Sequence, residues 1–231
     1  MDSKPYSTNC LECKKRSDCF QQLIPSELEF INQNKTQLTY QKGETICKEG
    51  AFASYVSYII DGLVKVYIED RGSKNINLNI SSSSEFIGLS TIFQNSVYSF
   101  SAVAMIDTSV CLIEKASFRG LLKSNGNFAT EVIKWYCYKE KHLLCKIKNI
   151  GQKQMHGRMA NALLYLNCEE FKGKNLFSHI SRKDIAEFAC ISTESAVRIL
   201  TEMKNEGIIK LKDKNIEILK PDVLERISNC G

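Results

Sequence analysis

The spacing of apolar residues changes at Gly126, and this change constrains the fold more than any other feature of the sequence. From residue 37 to residue 118, short runs of β-branched and aromatic residues alternate with turn signals, a pattern typical of antiparallel strands. Several short strands at close spacing, punctuated by glycine, favour a small barrel or roll over an α/β sheet. The predicted strands are Gln37–Tyr40, Tyr55–Ile60, Leu63–Glu69, Ile76–Ile80 and Ser99–Ile106.

One turn within this region has a specific signature. Asp61-Gly62 separates two of the predicted strands, and both residue types accept the positive φ angles of a two-residue type I′ turn. We therefore predict a β-hairpin at this position.

After Gly126 the apolar residues recur at intervals of three and four, which predicts an amphipathic helix of about six turns. Such a helix has more apolar surface than its own domain is expected to cover, so we expect it to pair with a second copy of the chain. Packing within the same chain is the alternative. The stripe consists of Phe128, Val132, Trp135, Tyr136, Leu143, Ile147 and Ile150.

Residues 157 to 221 have the pattern of a separate small domain. Ser181 can cap a helix that has Asp184 at its third position, and a short turn at Cys190-Ile191-Ser192 separates this helix from the next. Two strands with alternating apolar residues follow. The helices and this strand pair together predict a winged helix-turn-helix domain. The predicted segments are helices over Arg158–Phe171, Ser181–Ala189 and Thr193–Asn205 and strands over Ile208–Leu211 and Ile216–Leu219.

The predicted fold class is therefore α+β. An N-terminal antiparallel β-roll precedes a long dimerisation helix and a C-terminal winged helix-turn-helix. The predicted domains are a cysteine-rich arm over residues 1–22, a β-roll sensor domain over 23–125, a dimerisation helix and hinge over 126–154, and a DNA-binding domain over 155–231.

Composition restricts the class of protein. The 231 residues are 43% hydrophobic and 25% charged, as in ordinary globular domains, and the net charge of +5 permits nucleic-acid binding without demonstrating it. No apolar stretch is long enough to span a membrane and Met1 to Thr8 is polar, so we expect a cytoplasmic protein. The sequence has neither a phosphate-binding G-x-x-x-x-G-K motif nor an H-x-x-x-H pair, so we do not expect an enzyme.

Three cysteines near the amino terminus, Cys10, Cys13 and Cys19, follow a C-x2-C-x5-C spacing. Two residues between thiolates allow both sulfurs to reach one metal ion or cluster. In a reducing compartment, cysteines are expected to be metal ligands or buried thiols rather than disulfides. We expect Cys137, Cys145, Cys168 and Cys190 to be buried thiols without a ligand role.

The last helix of the predicted helix-turn-helix has a pair suited to reading bases. Glu194 and Arg198 are four residues apart and share one face, opposite apolar positions at Val197, Ile199 or Leu200 and Met203. A carboxylate accepts from cytosine N4, and a guanidinium donates two hydrogen bonds to guanine. Contacts to phosphates or flanking bases are expected from Thr193, Ser195 and Lys204. A surface ion pair between Glu194 and Arg198 is the alternative.

The whole chain resembles the Crp/Fnr family of bacterial transcription regulators. The most specific segments are Ser181-Arg182-Lys183-Asp184-Ile185-Ala186 and Glu194-Ser195-Ala196-Val197-Arg198-Ile199-Leu200, which are similar to the family's helix-turn-helix signature. The resemblance implies a cyclic-nucleotide-binding-like, double-stranded β-helix roll. It also implies that the protein binds two inverted DNA half-sites as a homodimer and contacts RNA polymerase. The DNA-contacting residues implied are Arg182, Thr193, Glu194, Ser195, Val197 and Arg198.

Within the family, the N-terminal cysteines together with Cys111 resemble the oxygen-responsive Fnr branch. This resemblance implies a [4Fe-4S] cluster on Cys10, Cys13, Cys19 and Cys111 that senses oxygen or redox state, with nitric oxide as another signal. The cluster would tie an otherwise flexible arm to the roll. A zinc site, a thiol-disulfide switch and another effector bound in the roll are the alternatives.

The resemblance does not extend to cyclic AMP binding, which would require a Gly-Glu pair and an Arg-Ser pair around a phosphate. Leu89 follows Gly88, and no Arg or Lys occurs between Lys74 and Lys115. A buried phosphate without a cationic partner is costly. We therefore predict that the roll has no cyclic-nucleotide-binding residues.

Overall fold

The computed structural model describes residues 9–69, 75–93, 97–168, 171 and 175–230. The chain divides into two compact units. The first contains the described residues up to Ile68 and those of Ile80–Glu140, and the second contains the described residues of Glu69–Asn79 and Lys141–Gly231. The predicted α+β class, with an antiparallel β-roll, a long helix and a C-terminal helix-turn-helix, is confirmed.

The β-roll consists of two four-stranded sheets. The first has the strand order β1-β8-β3-β6 and the second has the order β2-β7-β4-β5. The strands are β1 (Lys35–Tyr40), β2 (Thr45–Cys47), β3 (Tyr55–Asp61), β4 (Leu63–Ile68), β5 (Ile76–Ser82), β6 (Phe86–Ile87), β7 (Ser101–Ala104) and β8 (Thr108–Glu114).

The hairpin predicted at Asp61-Gly62 is wrong. β3 ends at Asp61 and β4 begins at Leu63, but the two strands lie in different sheets. Gly62 has φ +123°, and a Cβ atom there would lie 2.7 Å from the Cα atom of Thr108. The glycine is therefore required for a close crossing from one sheet to the other, and not for a tight turn within one sheet.

One face of the first sheet packs against the helices of the same unit. Tyr58 pairs with Cys111, and Val56 pairs with Ile113, so these four side chains share a face. The helices are α1 (Asp18–Gln21), α2 (Pro25–Gln33), α3 (Lys115–Ser124) and α4 (Gly126–Gln152). The core between them contains Cys19, Phe20, Leu23, Leu28, Ile31, Val56, Tyr58, Phe86, Ile92, Cys111, Ile113, Phe118, Leu121, Phe128 and Val132.

The long helix α4 is 27 residues long and begins at Gly126. The side-chain oxygen of Asn125 accepts a hydrogen bond from the backbone N–H of Phe128 at 2.9 Å, which satisfies one free donor of the first turn. Lys139 Nζ lies 2.7 Å from Oε2 of the buried Glu85. Other apolar side chains of this helix are between 44% and 61% exposed, namely Ile133, Tyr136, Leu143, Leu144 and Ile147.

The second unit contains the helix-turn-helix and its wing. The capping box predicted at Ser181 is confirmed, because its Oγ accepts from the Asp184 N–H at 3.0 Å and the Asp184 carboxylate accepts from the Ser181 N–H at 3.0 Å. β9 and β10 pair in antiparallel fashion as the wing. The elements are α5 (Met155–Leu166), α6 (Leu176–His179), α7 (Arg182–Ala189), α8 (Thr193–Asn205), β9 (Ile209–Lys212), β10 (Asn215–Ile218) and α9 (Pro221–Cys230).

The turn between α7 and α8 contains an unusual backbone conformation. Cys190 follows α7 with φ 54° and ψ 46°, in the left-handed region that normally favours glycine. Its N–H bonds back to the carbonyls of Ala186 and Glu187, and Arg158 Nη1 donates to the Cys190 carbonyl at 3.4 Å. These contacts hold the left-handed turn at a residue that carries a Cβ atom.

Candidate functional site

Three of the four predicted ligand cysteines line one cavity of the first unit. Cys10 and Cys13 come from the arm, and Cys111 comes from β8. Two cationic side chains, Arg16 and Lys35, line the same cavity. The remaining wall consists of Phe20, Leu28, Ile31, Tyr58, Ile60 and Ile113. A small set of thiols and cations is thus enclosed by mainly apolar side chains.

Hydrogen bonds from the body of the unit hold the arm in place. The backbone N–H of Cys10 donates to Asn32 Oδ1 at 3.2 Å. The Tyr58 hydroxyl accepts from the Ser17 N–H at 2.8 Å and donates to the Lys15 carbonyl at 2.5 Å. The expectation that only the cysteines would tie down an otherwise flexible arm is therefore wrong for residues 9–22.

Phe20 anchors the arm by packing in an aromatic cluster. Its ring centroid lies 4.8 Å from that of Tyr58, 5.5 Å from that of Phe86 and 5.9 Å from that of Phe128. Phe86 also meets the indole of Trp135 edge-on, at 5.5 Å. Aromatic pairs at these separations contribute beyond the area that they bury. The cluster therefore joins the arm to the first sheet and to α4.

Cys19 is the one predicted ligand that does not line this cavity. It belongs to α1, it is buried, and it packs in the same core cluster as Cys111. Burial raises the pKa of its thiol to about 11. Among the residues that the structure describes, no three or more His, Cys, Asp or Glu side chains stand close enough to hold a metal ion.

Lys35 is the electrostatic partner of two cavity thiols. Burial raises the pKa of Cys111 to about 11 and also raises that of Cys10, whereas a hydrogen bond and charge from Lys35 oppose the shift in both cases. Lys35 begins β1 opposite Ile113, two residues beyond Cys111 on β8. The sequence could not identify Lys35, because only the register of β1 and β8 brings it to the cavity.

The other cysteines differ in exposure. Cys47 is buried, and burial raises its pKa to about 12. Cys168 and Cys190 are half-buried. The expectation that Cys137 and Cys145 are buried is wrong, because both are exposed on α4. The face of α4 that carries them is less covered within the chain than the sequence suggested.

The second candidate site is the exposed face of α8. Thr193, Glu194, Val197 and Arg198 are exposed, and Ser195 is half-buried with its N–H bonded to the capping Ser192 Oγ at 3.1 Å. Val197 is 47% exposed and does not face the core as the helical spacing suggested. The buried face is formed by Ala196, Ile199, Leu200 and Met203.

Arg198 forms an ion pair with Glu202, one turn further along α8. Its Nη1 donates to Glu202 Oε1 at 3.1 Å. The other carboxylate oxygen of Glu202 lies 2.8 Å from Nε2 of His156 in α5. Neither Glu202 nor His156 was recognised in the sequence, because the contact depends on how α5 packs against α8.

Arg182 contacts the wing. It is half-buried at the start of α7, and its Nη2 donates to the Asp213 carbonyl in the β9–β10 turn at 3.3 Å. Burial lowers the pKa of its guanidinium. Lys212, which ends β9, and Lys214, which lies in that turn, are exposed. Arg182 therefore supports a basic wing that lies in the same unit as α8.

Two family models match the chain. One is described as a cyclic nucleotide-binding domain and matches residues 37–125, and the other is described as a Crp-like helix-turn-helix domain and matches residues 157–227. The order of these two domains is the architecture of one family of regulators. The chain belongs to the Crp/Fnr family.

Relatives across this family match along most of their length. The anaerobic regulatory protein of Bacillus subtilis is 25% identical over 215 residues, covering 90% of each chain. The nitrogen fixation regulation protein FixK of Rhizobium meliloti is 24% identical over 194 residues, covering 83% of this chain and 86% of its own. The structure of FixK2 from Bradyrhizobium japonicum has a TM-score of 0.76 at 21% identity and covers 85% of this chain and 98% of its own.

This member of the Crp/Fnr family is a DNA-binding transcriptional regulator. Crp-like helix-turn-helix regulators bind DNA and function as dimers, and the relatives are transcription factors and not enzymes. The roll matches a domain named for cyclic nucleotides, but Leu89 follows Gly88, and no Arg or Lys occurs between Lys74 and Lys115. The absence of cyclic-nucleotide binding therefore stays a prediction. No helix in the described ranges has the length and hydropathy needed to cross a membrane.

Proposed function

We propose that this regulator senses oxygen or redox state through a [4Fe-4S] cluster held by Cys10, Cys13, Cys19 and Cys111, and that it binds palindromic DNA as a homodimer. The observation that carries the proposal is that Cys111, which is distant in sequence from Cys10 and Cys13, lines one cavity with them. The name of the Bacillus subtilis relative, an anaerobic regulatory protein, supports a signal of this kind.

The cavity suits a thiolate-bound cofactor in its chemistry. Thiols must lose their protons to bind iron, and the negative charge of the resulting thiolates needs compensation in an apolar cavity. Lys35 and Arg16 supply two positive charges at the wall. Cys19 packs in the same core cluster as Cys111, and Cys10 packs against that cluster. Since no three of these thiols stand close enough to hold a metal among the described residues, the arm and its short helix α1 have to shift for the four cysteines to meet.

The aromatic cluster links the cavity to the helix expected to dimerise. A bound [4Fe-4S] cluster supplies iron–thiolate bonds that oxygen or nitric oxide can disrupt. A shift of Cys19 moves its neighbour Phe20, which contacts Phe86 and Phe128. Phe128 lies in α4, and Phe86 packs against Trp135 of the same helix. The state of the thiols is thereby linked through packed rings to the orientation of α4.

The exposed stripe on α4 is the proposed dimer surface. Ile133, Tyr136, Leu143 and Ile147 follow spacings of three, seven and four residues, which place them along one side of the helix. They are exposed within the single chain. Pairing with the same helix of a second copy would bury them, as expected for a symmetric dimer.

On DNA, α8 is proposed to lie in the major groove. Glu194 and Arg198 read neighbouring base pairs, and Val197 contacts a flanking thymine methyl. Thr193 and Ser195 contact phosphates or flanking bases, while Arg182 holds the wing near the sugar-phosphate backbone of the DNA. A symmetric dimer is expected to protect two inverted half-sites about one helical turn apart and to contact RNA polymerase.

The cofactor is tested by purifying the protein without oxygen and measuring its absorption spectrum, iron and acid-labile sulfide before and after exposure to air. We expect about four irons and four sulfides per chain, with a broad visible absorbance that bleaches in air. Cys111→Ser should lose most of the iron. Cys137→Ser is the matched control and should retain it, because Cys137 is exposed on α4 and away from the cavity.

Two results would contradict the cluster. If the purified protein is colourless and carries zinc, the cysteines form a zinc site instead of an iron–sulfur site. A protein that binds no metal under conditions that load other iron–sulfur proteins would leave a thiol-disulfide switch or another effector in the roll as the sensor. In either case the DNA-binding function would stand.

Base reading is tested separately with Arg198→Ala. Loss of a two-hydrogen-bond contact to guanine should weaken operator binding by about 1 to 3 kcal/mol and relax the guanine preference. Arg226→Ala, which removes the same charge from α9, should leave that preference intact. Binding is measured on a duplex selected from a random library by the wild-type protein. An unchanged guanine preference in Arg198→Ala would remove Arg198 as a reader.

A further inference from the structure

We propose that Glu202 is a specificity-determining residue that positions Arg198 for base reading and disfavours binding to non-operator DNA. The inference rests on the proposed role of Arg198 as a reader. It concerns Glu202 and His156, which lie outside the helix-turn-helix signature and which base reading by itself does not require.

The carboxylate of Glu202 is held from both sides. Its Oε1 accepts from Arg198 Nη1 at 3.1 Å, and its Oε2 lies 2.8 Å from His156 Nε2. The imidazole comes from α5, whereas the guanidinium comes from the same helix as the carboxylate. The hydrogen bond with His156 lowers the pKa of the Glu202 carboxyl, and the charge of Arg198 acts in the same direction.

This arrangement has little value for folding. The side chains of Arg198, Glu202 and His156 are 56%, 40% and 48% exposed, so water largely screens the Arg198–Glu202 ion pair and competes for the Glu202–His156 hydrogen bond. Within a helix, a carboxylate four residues after a cation is also the less favourable of the two orders. A contact that adds little stability can still restrict the conformations of a long side chain.

The contact with Glu202 leaves enough N–H donors of Arg198 free to bind a base. A guanidinium has five N–H donors in one plane, so donation of one of them to Glu202 leaves donors for the two acceptors of a guanine. Because the side chain is already ordered, less conformational entropy is lost on binding the correct base. His156 restrains Glu202 in turn, so the guanidinium is held against a carboxylate that is itself fixed.

The same carboxylate weakens contact with the wrong DNA. Glu194, Arg198 and Glu202 follow one another at four-residue intervals along α8, so two negative charges flank the single positive one. In a non-specific complex, phosphates dominate the contacts and a nearby carboxylate repels them. In the operator complex, the guanine contact of Arg198 offsets that repulsion. Glu202 therefore lowers overall affinity and raises the difference between operator and other sequences.

The experiment compares Glu202→Gln with Glu206→Gln, which removes the same charge four residues further along, at the C-cap of α8. Each protein is titrated against the selected operator duplex and against a scrambled duplex at fixed salt concentration. For Glu202→Gln we expect a discrimination ratio about two- to fivefold lower than that of the wild type, mostly through tighter binding to the scrambled duplex, as for loss of an exposed ion pair. Glu206→Gln should change both affinities in parallel.

His156→Gln provides a second variant, because it keeps a hydrogen-bond donor and leaves every residue of α8 intact. We expect a smaller loss of discrimination in the same direction. If Glu202→Gln and Glu206→Gln leave the ratio equally unchanged, the inference is overturned while base reading by Arg198 stands. If Arg198→Ala also leaves the ratio unchanged, base reading itself is overturned. Circular dichroism melting of each variant ensures that only folded proteins are compared.

Discussion

Lys146 provides a quantitative test of the packing in the second unit. This lysine lies in α4 and is half-buried, and its Nζ sits 3.5 Å from the centroid of the Phe188 ring. The ammonium group also donates to the Phe188 carbonyl, near the end of α7, at 2.9 Å. Burial lowers its pKa from the ordinary value of 10.5 to about 8, with a small opposing contribution from Cys190. The charged form is therefore disfavoured in the folded protein.

The pKa shift sets how stability depends on pH. Between the folded pKa of about 8 and the unfolded value of 10.5, the unfolded chain binds more protons than the folded chain. The free energy of unfolding must therefore rise with pH across this window, and the lysine adds nothing to the slope well below pH 8. At pH 9, one unit above the folded pKa, the gain relative to pH 7 is about 1.4 kcal/mol. Lys146→Met fills similar space but cannot titrate, so it should lack this gain.

The assay is urea unfolding followed by far-ultraviolet circular dichroism at pH 7 and pH 9, with the thiols kept reduced. Other titrating groups are shared by both proteins, so the quantity of interest is the difference between their two pH-dependent changes. Lys141→Met, an exposed lysine on the same helix, is the control and should follow the wild type. Equal pH dependence in Lys146→Met and the wild type would refute the enclosure of the ammonium group that the structure shows.

Three further substitutions test the fold. Gly62→Ala should lower the free energy of unfolding in urea by at least about 3 kcal/mol, because the added Cβ would overlap Thr108 at a position with positive φ. The control Gly43→Ala also has a positive φ but has no neighbour within 4 Å, so it should cost about 1 to 2 kcal/mol. Equal losses in the two variants would contradict the close crossing. Phe20→Ala should cost about 3 to 5 kcal/mol and speed tryptic cleavage of the arm, and unchanged cleavage would argue against anchoring by the aromatic cluster. Ser181→Ala should lower stability by about 1 kcal/mol in thermal melts through loss of the α7 cap, and an unchanged melting temperature would contradict it.

Features that depend on neighbouring residues could be predicted from the sequence. The capping box of Ser181 and Asp184 lies within one helical turn, and the periodicity after Gly126 reports one continuous helix. Five strand segments before Gly126, which became β1, β3, β4, β5 and β7, were also recognisable, because alternation requires only a few consecutive residues. The strands β2, β6 and β8 were not among the predicted segments. These signals sufficed for the α+β class and for the exposed face of α8 that carries Glu194 and Arg198.

Features that depend on long-range pairing could not be predicted. Asp61-Gly62 has the composition of a hairpin turn, but the sheet to which each flanking strand belongs is decided by partners as distant as β7 and β8. Lys35 reaches the thiol cavity only through the register of β1 against β8. Spacing alone groups Cys19 with Cys10 and Cys13, whereas only Cys10 and Cys13 of the three line the cavity and Cys19 is buried in the core beside Phe20.

The position of the single tryptophan gives this regulator an internal optical reporter. Trp135 is half-buried on α4 and meets Phe86 edge-on at 5.5 Å, in the same group of rings that receives Phe20 from the arm. Indole emission depends on the polarity and quenching of its surroundings, and no second tryptophan contributes to the signal. Movement of the arm should therefore change the fluorescence of the unlabelled protein, so that its kinetics could be followed by stopped-flow in real time.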